Sequence, residues 1–231
     1  MNKKKYNTKI CIEDEKYRRL AELILQKNYK VIKLLKNDQR SKVELIKYGE
    51  EKLVLKVPLE KDRRRWQRLL SVFRGSSSKR EYENCNKILS KGFLGAEPVI
   101  AIEKKAGPFV IESCFVSKFI EGQEGNFQHV KEIGKELDRI HNSGYLHGDS
   151  QLVNFMVSVH GIYLIDCKLK KNIFGKFGSR YEFIYLEESC PEKIDIYEKD
   201  DIYYRGAKLL NTYLHWWGRT RKKLRCKHLL K

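Results

Sequence analysis

The stretch YLHGDSQLVNFMVSVHGIYLIDCKLKK, residues 145–171, decides how this chain is read. It sets His147, Asp149, Asn154 and Asp166 in one short region, with Asp149 and Asn154 five positions apart. Two strand-like runs follow, Phe155–Val159 and Ile162–Ile165, with Gly161 as the turn between them. Asp166 stands directly after the second run. A loop followed by a hairpin brings Asp149, Asn154 and Asp166 towards one point. Such a set offers a carboxylate, Asp149, that orients a hydroxyl and accepts its proton. It also offers two hard oxygen donors for a divalent cation, Asn154 and Asp166. His147 reads as a residue that fixes the loop rather than as a base.

The spacing H-x-D-x-x-x-x-N, followed by a later Asp, is the layout of the protein-kinase catalytic loop and its metal aspartate. That layout calls for a strand lysine that holds phosphates and a helix glutamate that pairs with it. Lys56 is the candidate lysine. In LVLKVP it shares a strand face with Val54, while Leu53, Leu55 and Val57 point the other way. Glu81 is the candidate partner, because it falls on the apolar helix face with Cys85 and Ile88. A carboxylate on a buried face is unusual unless it is paired.

Working outward, residues 13–36 read as a helix, with Tyr17, Leu20, Leu23 and Ile24 on one face. Lys42–Tyr48 and Glu51–Leu59 read as a hairpin turning at Gly49. A basic segment, 61–80, holds eight Lys/Arg and one acid. A helix to about Ser90 follows and ends at Gly92, then strands at Pro98–Glu103 and Phe109–Phe119 around a Gly107-Pro108 turn. A second helix spans about Phe127–Asn142, with a stripe of Phe127, Val130, Ile133, Leu137 and Ile140. A last helix at about Asp200–Trp217 carries Ile202, Gly206, Leu209, Leu210, Tyr213 and Trp216 on one side. The order predicts an α+β, bilobal, protein-kinase-like fold as one domain. Its small β-rich N-lobe covers about 1–118, its linker about 117–125, and its truncated, mostly helical C-lobe about 126–231. Phe119, in the linker, is expected beside the nucleotide.

Composition bounds the partners. Of 231 residues, 48 are Lys or Arg and 30 are Asp or Glu, a formal net charge of +18, which calls for an anionic partner. With 41% hydrophobic residues the chain has material for a packed core, so wholesale disorder is excluded. No apolar run approaches the roughly 20 residues of a bilayer span, and the basic start lacks a signal-peptide core. A cytoplasmic protein is expected. The six cysteines are scattered without C-x-x-C, so free, mostly buried thiols are expected. The excess charge collects in 61–80 and in 219–231, where seven Lys/Arg stand without an acid. Both read as contacts to anionic headgroups or to phosphates of an acceptor, or else as solvated faces. Trp66, Trp216 and Trp217 are candidate interfacial anchors, with core packing expected for at least one. Lys168, Lys170 and Lys171 fit either a contact to phosphate or a solvated basic turn.

The segments LKNDQRSKVELI (35–46), LVLKVP (53–58), SSKREYENCNKIL (77–89), SKFIEG (117–122), YLHGDSQLVNF (145–155) and YLIDCKLKKN (163–172) resemble the lipopolysaccharide core heptose(II) kinase family over essentially the whole chain. The resemblance implies ATP-dependent phosphorylation of the second heptose of the inner core, with ATP and Mg2+ as cofactors. The acceptor it implies is the lipopolysaccharide core oligosaccharide, on a glycolipid at the cytoplasmic face of the inner membrane. Peripheral contact with that anionic membrane, and no nucleic acid, are the partners expected. The carried-over roles are Asp149 as catalytic base, Asn154 and Asp166 at the metal, and Lys56 with Glu81 at the ATP phosphates. No G-x-G-x-x-G occurs near 35–50, so phosphate cover falls to the loop Lys36–Lys42, through its amides and basic side chains such as Lys36. Gly148 replaces the arginine of H-R-D, and Asp166-Cys167-Lys168 replaces D-F-G. Only 65 residues follow Asp166, which favours a small or lipid-linked acceptor over a docked protein. A non-catalytic basic pseudokinase on membrane or nucleic acid, and a protein Ser/Thr kinase, are the alternatives.

Overall fold

The computed structural model describes residues 6–59 and 76–228, with side chains in the last helix described up to Arg221. The chain divides into two compact units, one ending at Glu121 and the other beginning at Gly122. Most of the basic 61–80 segment, with Trp66, lies outside the described residues, as do the side chains beyond Arg221. The architecture is the α+β plan expected, a β-sheet unit followed by a mostly helical one.

The first unit is built on a six-stranded antiparallel sheet. Its strands are β1 (Tyr6–Ile12), β2 (Lys30–Asn37), β3 (Ser41–Tyr48), β4 (Glu51–Pro58), β5 (Pro98–Ala106) and β6 (Phe109–Lys118), in the order β1-β5-β6-β4-β3-β2. The β3–β4 hairpin turns at Gly49, whose φ of 59° is a region where a side chain would be strained. Helix α1 (Arg18–Leu25) lies on one sheet face, burying Tyr17, Leu20, Ala21 and Ile24 against Ile46, Leu53, Leu55, Ile100 and Val116. Replacing a fully buried leucine such as Leu20 with alanine costs about 2–5 kcal/mol. Helix α2 (Ser77–Ser90) belongs to the other face, where Cys85 clusters with Ala96 and Phe115. Ser76 caps it, accepting the N–H of Lys79, while its own N–H is donated to buried Glu103.

One expectation is corrected here. The helix read over 13–36 stops at Leu25, and Lys30–Asn37 is strand β2. The chain leaves the helix through Lys27, at φ 57°, with the Asn28 N–H donated to the Leu23 carbonyl and the Lys27 N–H to the Ile24 carbonyl. That is the usual glycine-type helix stop made with a lysine, so no glycine marks it in the sequence. Val31 and Ile32 then favour the extended chain. Strand β1, pairing along its length with β5, is an element the sequence reading passed over.

In the second unit, residues Phe127–His129 form a turn of 3-10 helix that leads into α3 (Val130–Asn142). Val130, Ile133, Leu137 and Ile140 are its buried stripe. Short strands flank this helix: β7 (Gln123–Glu124) pairs with β9 (Phe155–Ser158), β9 with β10 (Gly161–Leu164), and β8 (Tyr145–Leu146) with β11 (Lys170–Lys171). Helix α4 (Lys176–Glu188), absent from the sequence reading, buries Glu182, Phe183, Ile184 and Leu186. Helix α5 (Ile202–His228) runs well beyond Trp217. Its core contacts are Ala207 and Asn211, while Trp216 and Trp217 are both about half exposed. Of the five cysteines described, all are free, and Cys85, Cys114 and Cys167 are buried.

Candidate active site

In the first unit, Lys56 on β4 and Glu81 on α2 meet at 2.7 Å, Nζ to Oε1. The pair follows from two periodicities. Alternation along β4 buries Leu53 and Leu55 under α1 and turns Val54 and Lys56 to the face where α2 lies. The helical repeat puts Glu81 on the side of Cys85 and Ile88. Both side chains are about a quarter exposed, at 24% and 25%, so the pair holds the ammonium in place while leaving it able to meet an anion.

The turn between β2 and β3 is ordered from within. Asp38 Oδ1 accepts the N–H groups of Arg40 and Ser41 at 2.7 and 2.8 Å, and Lys36 Nζ lies 3.2 Å from Asp38 Oδ2. The two backbone donors, then Lys36, hold the Asp38 carboxyl down to about 2. Two of the amides expected to cover phosphate are therefore engaged by Asp38. Phe119 is half-buried, and its N–H is donated to the Lys52 carbonyl at 3.1 Å.

In the second unit, the segment 165–172 runs back along the catalytic-type loop. Ile165 donates its N–H to the Asn154 carbonyl at 2.9 Å, Lys168 to that of His147 at 2.9 Å, and Asn172 to that of Gly144 at 2.8 Å. Lys170 and Lys171 pair in register with Leu146 and Tyr145. This lacing brings Asp166 alongside the loop that carries Asp149 and Asn154. Asn154 donates its side-chain N–H to the Asp149 carbonyl at 2.9 Å, which orients the amide and leaves its oxygen end for a ligand. Asp166 is exposed and sits at φ 49°, a left-handed conformation that Asp tolerates better than most residues. Asp149 Oδ1 is buried and has no hydrogen-bond partner among the described residues. A buried carboxylate oxygen without a donor is costly, and Oδ1 keeps the capacity to accept one. Lys168, Lys170 and Lys171 are all exposed.

His147 is fully buried, its ring centroid 4.7 Å from that of Phe155. Burial pushes its pKa down to about 4, against the opposing pull of Glu182, so the imidazole is neutral at ordinary pH. Gly148 has φ 88°, and a Cβ there would lie 3.2 Å from the Lys168 Cβ. The position that holds arginine in H-R-D therefore has, in this chain, a backbone that disfavours any side chain.

Glu182 is the residue sequence reasoning missed. It is 5% exposed. Its carboxylate accepts the N–H of His147 at 2.8 Å and of Gly148 at 2.5 Å, and lies 3.1 Å from His141 Nε2. Its backbone carbonyl accepts the Ser150 hydroxyl at 2.7 Å. One residue of α4 thus grips the loop on both sides of Asp149. The available signal was a carboxylate inside the apolar run YEFIYL, which is unusual without a partner.

The donor set suits Mg2+ held together with phosphates, a cation that takes only one or two protein oxygens. Among the described residues no group of three or more His, Cys, Asp and Glu is placed to hold a metal ion, and Asn154 and Asp166 are the residues that could supply oxygens to such a cation.

The chain is 30% identical over 162 residues to a lipopolysaccharide core heptose(II) kinase WaaY of Escherichia coli, covering 66% of this chain and 70% of the relative. It is 24% identical over 181 residues to the protein of that name from Escherichia coli strain K12, covering 74% and 78%. Its fold is shared with WaaP, solved in complex with acyl carrier protein, at TM-score 0.52 and 13% identity, covering 94% of this chain and 99% of that one. The family model described as lipopolysaccharide core biosynthesis protein (WaaY) matches residues 1–181. The chain therefore belongs to the WaaY family of lipopolysaccharide core biosynthesis proteins, and it is a kinase.

Proposed function

We propose that the chain transfers the γ-phosphoryl group of ATP to a hydroxyl of heptose II in the lipopolysaccharide inner core. The observation that carries the mechanism is the loop 147–154, gripped by Glu182 and laced to 165–168, with an unspent carboxylate oxygen on Asp149. Asp149 orients the acceptor hydroxyl and takes its proton as the oxygen attacks. Asn154 and Asp166 would hold Mg2+, which would supply positive charge against the phosphates. Lys56 meets the phosphate charge, and Glu81 fixes its ammonium. Lys36 adds positive charge at the β2–β3 turn, and Phe119 lies beside the base. The small-lobe role of residues up to about 118 and the catalytic role of those from about 126 are part of the same reading. So is a glycolipid acceptor at the inner membrane's cytoplasmic face. Among the described residues no helix is long and apolar enough to cross a membrane.

The test is incubation with ATP, Mg2+ and a soluble inner-core oligosaccharide, with the product mapped by tandem mass spectrometry. One added phosphate on the second heptose is expected. Phosphate placed on another sugar, or transfer only to a generic Ser/Thr peptide, would overturn the assignment.

A further inference from the structure

Helix α5 docks on α4 through a strip of small and polar residues, with Gly206 close to the Phe177 ring. Ala207 and Asn211 are buried, Asn211 Nδ2 donates to Glu188 Oε1 at 2.5 Å, and His215 Nε2 lies 3.1 Å from Glu188 Oε2. The apolar side of the helix faces solvent. Ile202 (78% exposed), Leu209 (72%), Tyr213 (53%) and Trp216 (52%) recur at helical spacing along one line, and Leu210, Leu214 and Trp217 (47%) lie beside it. Tyr213, Trp216 and Trp217 form a contiguous aromatic group, with neighbouring ring centroids 6.0 and 6.3 Å apart. Scattered apolar side chains on a surface need no account, but a continuous aromatic and aliphatic stripe does.

Charge selects what covers it. From Ile202 to Lys231 there is no Asp or Glu, while Arg205 and Lys208 add to the seven Lys/Arg of 219–231. The described ones, Arg205, Lys208, Arg219 and Arg221, are exposed. A second copy of this chain would bring this uniformly basic helix against its own like. An anionic bilayer offers apolar depth for the stripe, headgroup level for Tyr and Trp, and negative charge for the flanks.

We infer that α5 is an interfacial helix that lies in the surface of an anionic membrane through Leu209, Leu210, Tyr213, Leu214, Trp216 and Trp217. It lies on the membrane rather than spanning it. The inference deepens the proposed glycolipid kinase reading by naming the surface that meets the acceptor's membrane, and its test needs no acceptor.

The experiment is vesicle flotation of the full chain and of a Leu209→Ser/Trp216→Ser/Trp217→Ser variant. Vesicles are phosphatidylcholine alone, or phosphatidylethanolamine with phosphatidylglycerol, both free of lipopolysaccharide. The wild-type chain floats with the anionic vesicles and not with the neutral ones. The variant, with unchanged circular dichroism and melting temperature, loses on the order of tenfold or more in partitioning. Phosphorylation of the soluble core oligosaccharide is the same for both. Undiminished flotation of the folded variant overturns the inference. So does a wild-type chain that ignores anionic vesicles, or one whose stripe proves by light scattering to hold a dimer. If the variant unfolds, Leu209→Ser alone, which keeps all three tryptophans, is read by tryptophan emission: a smaller blue shift on anionic vesicles supports the inference and an unchanged one overturns it. Transfer that stays intact when the variant stops floating separates the helix's role from the chemistry, whereas flotation without transfer in the wild type refutes the proposed heptose transfer alone.

Discussion

Replacing Glu182 with Gln separates a residue that positions the catalytic loop from one that only fills the core. The carboxylate oxygens take one backbone N–H each, from His147 at 2.8 Å and from Gly148 at 2.5 Å. A glutamine of nearly the same shape has one acceptor oxygen. Whichever way its amide turns, an NH2 faces a backbone N–H, and one buried donor loses its partner. A hydrogen bond to a charged group contributes about 1.5–3 kcal/mol, and an orphaned buried donor costs about 1–3 kcal/mol. Glu182→Gln should therefore destabilise the protein by about 2 kcal/mol, and Glu182→Ala, which orphans both donors, by about 4 kcal/mol. Urea unfolding followed by circular dichroism measures both. The functional effect exceeds the stability effect, because the loop must hold Asp149 to within about 0.5 Å of its working position. At a temperature where wild type and variant are both folded, kcat of Glu182→Gln should fall about 10–100-fold with little change in KM for ATP. A kcat loss that merely follows the unfolded fraction would leave Glu182 as core filler. Stability and kcat both within error of wild type would refute the grip altogether.

Other perturbations report on other parts of the site. Lys56→Ala, and more weakly Glu81→Gln, should raise KM for ATP and lower kcat, with little effect on melting because both side chains are partly solvated. The His147 pKa is depressed to about 4 against an ordinary value near 6.5, so the unfolded chain binds the extra proton first as pH falls. The stability associated with neutral His147 is complete above about pH 6.5 and is lost as pH falls towards 4, up to about 3 kcal/mol. His147→Asn should flatten that part of a melting-temperature profile against pH. Gly148→Ala places a Cβ at φ 88° and 3.2 Å from Lys168 Cβ, so it should cost about 1–2 kcal/mol in urea unfolding and lower kcat with it.

What could be read in the sequence was what short-range periodicity controls. The kinase-type layout called for a strand lysine paired with a helix glutamate, and the two-residue alternation of LVLKVP with the helical repeat of Glu81, Cys85 and Ile88 picked out the two residues that meet at 2.7 Å. The β3–β4 hairpin and the stripe on α3 were legible for the same reason. Elements governed by an unmarked conformation or a distant partner were not. Lys27 ends α1 in a left-handed geometry with no glycine to announce it, and Leu34 and Leu35 suit a helical repeat as well as a strand. Strand β1 is mostly exposed, and its register with β5 joins residues nearly a hundred positions apart. Glu182 stands in an apolar run that hints at a buried partner, but the partners themselves lie 34 and 35 positions back, in the backbone N–H groups it accepts. The positive φ of Gly148 and the lacing of 165–168 onto the loop are likewise tertiary facts.

The most direct test of the account is single-turnover transfer of labelled phosphate from ATP to the inner-core oligosaccharide by wild type and by Asp149→Asn. Asparagine keeps the shape and cannot accept the proton. Loss of general-base action predicts a rate lower by about 10²–10⁴-fold, with nucleotide affinity and melting temperature unchanged. Transfer at the wild-type rate by the folded Asp149→Asn protein would contradict the assignment of the chemistry to this loop.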